Sequence, residues 1–244
     1  YPCEVVHQAL ACHKGYDDTE RLMINKYWEN LKDYFHGATF NGVAVVDTSG
    51  SMTWSSNKVR PIDVATALGM YCAEKCGPDS PWYGKYIPFS SRPQYISVDG
   101  IDFVDKAQRI ARANLCENTN IEAVFDLLLR TAVANHVPQE DIPQNIVIIS
   151  DMEFDDARDW RASPLDTTME TCMKKYTAAG YALPHLIFWN VEARNNTIPM
   201  RDEGNFITFV SGYSATLFEQ ILTGKSGLDF ILDILNSKRY SMIH

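Results

Sequence analysis

The segment Asp-Thr-Ser-Gly-Ser at residues 47–51 carries a carboxylate and two hydroxyls at alternate positions. Alternate side chains of an extended loop point to one side, so the oxygens of Asp47, Ser49 and Ser51 are expected to converge. Such oxygens are hard donors that suit Mg²⁺, with Mn²⁺ and Ca²⁺ as alternatives, and they bind soft metals poorly. The spacing predicts part of a divalent-metal site. Each residue taken alone is more typical of a capped turn, and only the set favours a metal site.

A second acidic position has the same relation to a buried strand. The loop of Asp47 follows the apolar run Gly42–Val46, and Asp151 directly follows the apolar run Asn145–Ser150. In open parallel sheets, ligands bind where loops leave the carboxyl ends of the strands. We therefore expect Asp47, Ser49, Ser51 and Asp151 to lie at one end of one sheet.

The elements that must position these residues alternate between strands and helices. Continuously apolar runs predict strands covered on both faces, and stripes of 3.6-residue period predict amphipathic helices. The strands are expected at 42–46, 145–150, 186–189 and 206–210, with an antiparallel pair at 86–89 and 94–98. The helices are expected at 25–35, 61–75, 104–114, 121–132 and 167–179, with two more at the end. This order predicts an α/β fold: a doubly wound, mainly parallel, Rossmann-like sheet with one antiparallel edge strand and helices on both faces.

The chain has no fixed-period repeat and no long linker, so it is interpreted as one main domain. That domain is expected to span residues 39–244. Residues 1–38 are expected to form an N-terminal arm and helix, outside the sheet.

Composition limits the possible partners. The 244 residues carry a formal net charge of -9, which disfavours binding of a polyanion by a basic face. No apolar run approaches the roughly 18 residues of a membrane span, so no membrane partner is expected. The six cysteines are scattered, which is typical of reduced thiols, and a cytoplasmic location is predicted.

The motif at residues 47–51 resembles the metal-ion-dependent adhesion site of von Willebrand factor A domains. In that family, Asp-x-Ser-x-Ser is joined by a Thr from a second loop and an Asp from a third. Thr119, in a polar turn before a helix, is similar to the second part, although Asn120 follows it where many relatives have Asp. Asp151 is similar to the third part.

The resemblance implies a metal site made of Asp47, Ser49, Ser51, Thr119 and Asp151. It implies that the hydroxyls bind the ion more directly than the two aspartates do. A site of this kind stays open to a carboxylate from a partner protein. The expected function is therefore metal-dependent protein binding without catalysis.

Two alternatives remain open. Stretches such as 118–125 and 150–155 resemble intracellular members of the family, including an uncharacterised group in microbes and phages, and more distantly the A domain of Ro ribonucleoproteins. A part in binding small or misfolded RNA would then require an additional helical-repeat domain. The other alternative is phosphoryl transfer by an Asp nucleophile, although such enzymes have Asp-x-Asp where residue 49 is Ser here.

Overall fold

The computed structural model describes most of the chain, and every statement about structure below concerns that part. The described residues are 1–12, 18–35, 37–55, 59–88, 90, 92–112, 121–151, 164–192, 200–202, 206–213, 217 and 227–237.

Helices and strands alternate along the described chain. The helices are α1 (Pro2–Ala11), α2 (Asp18–Glu29), α3 (Pro61–Lys75), α4 (Phe103–Arg112), α5 (Ile121–Ala134), α6 (Pro164–Ala178) and α7 (Gly227–Leu235). The strands are β1 (Gly42–Val46), β2 (Lys85–Pro88), β3 (Ile96–Ser97), β4 (Asn145–Ser150), β5 (His185–Asn190), β6 (Met200–Asp202) and β7 (Ile207–Ser211). Short 3-10 helices occur at Gly50–Thr53 and Gln139–Asp141.

The strands form one sheet in the order β3-β2-β1-β4-β5-β7-β6. The five inner strands are parallel, while β3 and β6 run antiparallel at the two edges. The expected α/β fold is confirmed, and so is the antiparallel strand beside β2. The second antiparallel edge strand, β6, was not expected, because its three residues include an Arg and an Asp and carry no strand pattern.

Helix α3 is the most deeply enclosed element. It is buried from Pro61 to Ala73, because α1 and α4 pack on it as well as β1. Pro61 favours a helix start through its fixed φ, and the Asp63 carboxylate accepts a 3.1 Å hydrogen bond from the Arg60 backbone N–H. Gly77, at φ +83°, follows the end of the helix. Because α3 packs on β1 and on the 3-10 helix Gly50–Thr53, it holds this strand and the loop after it in place.

The N-terminal helices belong to the same packed core. Cys3, Val6 and Ala9 of α1 are buried, and α1 contacts α2, α3 and α4. His7 of α1 also lies 2.8 Å from the Asp63 carboxylate, measured from Nδ1 to Oδ2. The domain boundary near residue 39 stays a prediction.

The helix expected at 25–35 was placed too late in the chain. The observed α2 ends at Glu29, and the apolar residues beyond it lie outside any helix. Among them, Tyr34 donates its backbone N–H to the Tyr71 hydroxyl at 2.9 Å, and the Phe35 ring stacks on that of Tyr71 at 5.7 Å. The apparent stripe combined one end of a helix with a buried connection, because both supply aromatic side chains to the same core.

None of the helices described above has both the length and the apolar character needed to cross a membrane. The five cysteines in the described residues are free and buried, and Cys116 lies outside them. Burial raises the pKa of the Cys76 thiol to about 12. Because they are buried, these cysteines serve as packing groups.

Candidate metal-binding site

The adjacent parallel strands β1 and β4 bring the two predicted acidic residues to the carboxyl end of the sheet. β1 pairs with β4 in a register that places Val46 opposite Ile149. The backbone N–H of Asp47 continues this ladder with a 3.0 Å hydrogen bond to the Ile149 carbonyl. Asp151 follows the end of β4, and both aspartates are buried, at 3% and 6% exposure. The sheet register therefore accounts for the common location of these carboxylates.

The carboxylate of Asp47 is fixed from two sides. Its Oδ1 accepts a 2.8 Å hydrogen bond from the Ser49 backbone N–H within the loop. Its Oδ2 accepts a 2.6 Å hydrogen bond from the hydroxyl of Ser150, the last residue of β4. Asp47 thus joins its own loop to the neighbouring strand. Ser150 was not expected at the site, because sequence reasoning treated it only as the end of a buried strand.

Burial disfavours the ionised form of the Asp47 carboxyl group. Burial raises the pKa of its carboxyl group, and the nearby charge of Asp151 acts in the same direction. The hydrogen bonds from Ser150 and Ser49 act in the opposite direction, since they favour the ionised form. A divalent cation beside Asp47 would also favour its charged form.

The two loop hydroxyls lie next to each other. Ser49 Oγ and Ser51 Oγ are 3.1 Å apart, and both residues are partly exposed. The 3-10 helix Gly50–Thr53 maintains this arrangement, because the Met52 backbone N–H donates to the Ser49 carbonyl at 3.2 Å. The motif predicted such convergence, and the structure places the two oxygens accordingly.

Met52 connects the first loop to the third. Its side chain is fully buried, and its Sδ accepts a 3.2 Å hydrogen bond from the Asp151 backbone N–H. This contact holds the loop after β1 against Asp151, the residue that follows β4. A Met directly after the motif is a signal that sequence reasoning passed over, because Met is an ordinary core residue.

The donor set fits a small divalent ion. Neighbouring ligands of an octahedral Mg²⁺ at 2.0–2.1 Å are about 2.9 Å apart. The serine hydroxyls, which are hydrogen-bonded to each other, are 3.1 Å apart, close to this value. Among the described residues, no group of three or more His, Cys, Asp or Glu side chains could hold a metal ion. Thr119, the fifth predicted ligand, lies outside the described residues.

A separate cavity lies between the β2–β3 edge and α4. Its volume is about 500 Å³, and two basic side chains, Lys106 and Arg109, line it. Arg109 Nε lies 3.0 Å from Asp105 Oδ2, and Lys106 Nζ lies 3.9 Å from Glu74 Oε1. Because both cations face acidic neighbours, the cavity shows no preference for an anion.

Comparison with known proteins finds a similar viral protein. The chain is 29% identical over 221 residues to Uncharacterized protein L728 of Acanthamoeba polyphaga mimivirus. The match covers 90% of this chain but only 37% of the viral protein, so the chain spans well under half the length of that relative.

Among solved structures, the conserved hypothetical protein BatB from Bacteroides thetaiotaomicron is similar at 15% sequence identity and a TM-score of 0.35. That match covers 78% of this chain and 95% of BatB, but its TM-score is too low to support a conclusion. The profile of a family described as Domain of unknown function (DUF7788) matches residues 41–231, which is most of the chain and includes every predicted metal ligand. This chain therefore belongs to the DUF7788 family.

Proposed function

We propose that this domain is a binding module of the von Willebrand factor A type that depends on a divalent metal ion, most suitably Mg²⁺. The ion would bind the hydroxyls of Ser49 and Ser51 together with Thr119, and a carboxylate of a partner protein would complete its coordination. The observation that carries this proposal is the 3.1 Å approach of the two hydroxyls beside the buried, doubly hydrogen-bonded Asp47.

The proposed role of Asp47 follows from its hydrogen bonds. Both carboxylate oxygens of Asp47 already accept hydrogen bonds from the protein. Asp47 therefore supplies negative charge and holds the loop, which supports a binding role over that of a nucleophile. Neutral hydroxyls leave a divalent ion with most of its charge, and that charge attracts an acidic group from a partner.

Titration calorimetry with MgCl₂ or MnCl₂ tests the site. The intact domain is expected to bind one ion, and both Asp47→Ala and the double variant Ser49→Ala/Ser51→Ala are expected to weaken binding by at least about 100-fold, since they remove charge or direct ligands. Removal of the ion with EDTA is expected to lower the Tm of the intact domain, because a ligand of the native state stabilises it by mass action.

Thr53→Ala is the matched control for this experiment. Thr53 lies in the same 3-10 helix, but its hydroxyl donates to the Gly50 carbonyl at 2.7 Å and is not among the predicted ligands. Its metal affinity should equal that of the unsubstituted domain. Equal affinities in the domain and in Asp47→Ala would refute the site.

A further inference from the structure

Among the described residues, one tryptophan stands exposed close in sequence to the candidate metal ligands. Trp54 is 82% exposed and directly follows the 3-10 helix that carries Ser51. The other tryptophans in the described residues, Trp28, Trp82 and Trp189, are at most 8% exposed. Indole rings are large and mostly buried in folded proteins, and they are enriched where one protein contacts another. Trp54 therefore offers apolar contact area that the described residues leave exposed.

Backbone hydrogen bonds hold Trp54 at a fixed place relative to the loop hydroxyls. Its N–H donates to the Ser51 carbonyl at 3.2 Å, and the buried Met52 anchors the same turn. A side chain attached to an ordered backbone loses less entropy when it binds than one on a mobile loop. The backbone of Trp54 is thus held in place relative to the proposed ligands Ser49 and Ser51 before a partner binds.

The loop that carries the proposed ligands and Trp54 has no acidic side chain of its own after Asp47. Residues 48–62 contain no Asp or Glu, although the chain as a whole has 31 acidic residues and a net charge of -9. The same stretch contains two basic residues, of which Arg60 is paired with Asp63 at 2.7 Å. The stretch that carries Ser49, Ser51 and Trp54 therefore adds no negative charge to that of Asp47 and Asp151.

We propose that Ser49, Ser51 and Trp54 form one recognition surface, and that its partner is a protein segment with an acidic side chain next to an apolar one. This inference rests on the proposed function, because the acidic side chain would bind the metal ion. The apolar side chain would pack on the indole of Trp54 and exclude water from the ion-carboxylate contact. A few such central contacts, with an aromatic anchor among them, commonly supply most of the binding free energy.

The test is a selection of displayed random peptides on the full chain in MgCl₂, with elution by EDTA. The selected peptides are expected to combine Asp or Glu with a neighbouring apolar residue. Affinities of the synthetic peptides are then measured by fluorescence anisotropy for the unsubstituted chain and its variants. Trp54→Ala should weaken peptide binding by about 30-fold, which corresponds to the 2 kcal/mol of a binding hot spot, and Trp54→Phe should have an intermediate affinity.

Ile101→Ala is the control for loss of an exposed apolar side chain, since Ile101 is 92% exposed and lies outside the recognition surface. It should bind the peptides as the unsubstituted chain does. Calorimetry should give the same Mg²⁺ affinity for Trp54→Ala as for the unsubstituted chain, because the indole is not a ligand.

The outcomes separate the two proposals. Undiminished peptide binding by Trp54→Ala would overturn the recognition surface while leaving the metal site intact. A chain that binds Mg²⁺ but selects no peptide eluted by EDTA would overturn it as well. A chain that binds no divalent ion in calorimetry would overturn the proposed function first, and this inference with it.

Discussion

Replacement of Gly69 by valine is expected to lower the free energy of unfolding by about 3 kcal/mol, as measured by urea denaturation. Gly69 lies in α3 where the helix approaches β1, and an added Cβ would lie 2.5 Å from Cγ2 of Val46. Val46 is fully buried and β-branched, so its methyl groups have little room to move. Gly69→Ala should cost less, because the better helix propensity of Ala offsets part of the clash.

The coupling free energy between substitutions of Gly69 and Val46 distinguishes a steric clash between them from a general loss of stability. In Gly69→Ala/Val46→Ala, the new methyl group fills part of the space left by the valine, so the double variant should lose less stability than the sum of the single variants. Gly50→Ala is the control, since a Cβ there meets no described atom within 4 Å. Greater stability of Gly69→Ala than of the unsubstituted chain would contradict the close approach of α3 and β1.

Replacement of Ser150 by alanine is expected to weaken Mg²⁺ binding by about 10-fold to 100-fold, as is typical when a group that orients a metal site is lost. The Ser150 hydroxyl is fully buried and donates the 2.6 Å hydrogen bond to Oδ2 of Asp47. Without this donor, a buried carboxylate oxygen loses its link to β4, at a cost of about 1–3 kcal/mol in stability. Calorimetry and thermal unfolding of the same variant measure both effects.

Thr66→Val is a matched control for the loss of a buried hydroxyl. Thr66 is fully buried, and its Oγ1 has no hydrogen-bond partner within the described structure. A valine of similar shape should therefore leave stability unchanged or slightly improved, and Mg²⁺ affinity unaffected. If Ser150→Ala bound Mg²⁺ as tightly as Thr66→Val, the orientation of Asp47 by Ser150 would have no role in the site.

The sequence predicted those elements whose burial appears as a regular pattern of apolar residues along the chain. The inner strands β1 and β4 appear in it as unbroken apolar runs because both faces of the sheet are covered. Helix α3 was expected at its observed bounds because Pro61 and Gly77 limit it at both ends. Elements without such signals were missed, among them the short edge strand β6 and the first helix α1.

For the site, the sequence predicted residue types but not the contacts that orient them. Asp47 and Asp151 were expected at the same end of the sheet because each follows the carboxyl end of a parallel strand. The hydrogen bonds of Asp47 to Ser150 and of Asp151 to Met52 depend on the pairing of β1 with β4, which neither segment reveals by itself. The exposure of Trp54 is likewise a property of the folded loop, because aromatic residues in a sequence are expected to be buried.

The pairing of β1 with β4 also determines when the site can exist. Asp47 and its partner Ser150 are 103 residues apart in the chain, so both serines of the motif are synthesised long before β4. At the usual rate of translation, this interval lasts about 5 to 20 seconds. The proposed metal ion would therefore find its complete site only after β1 and β4 have paired.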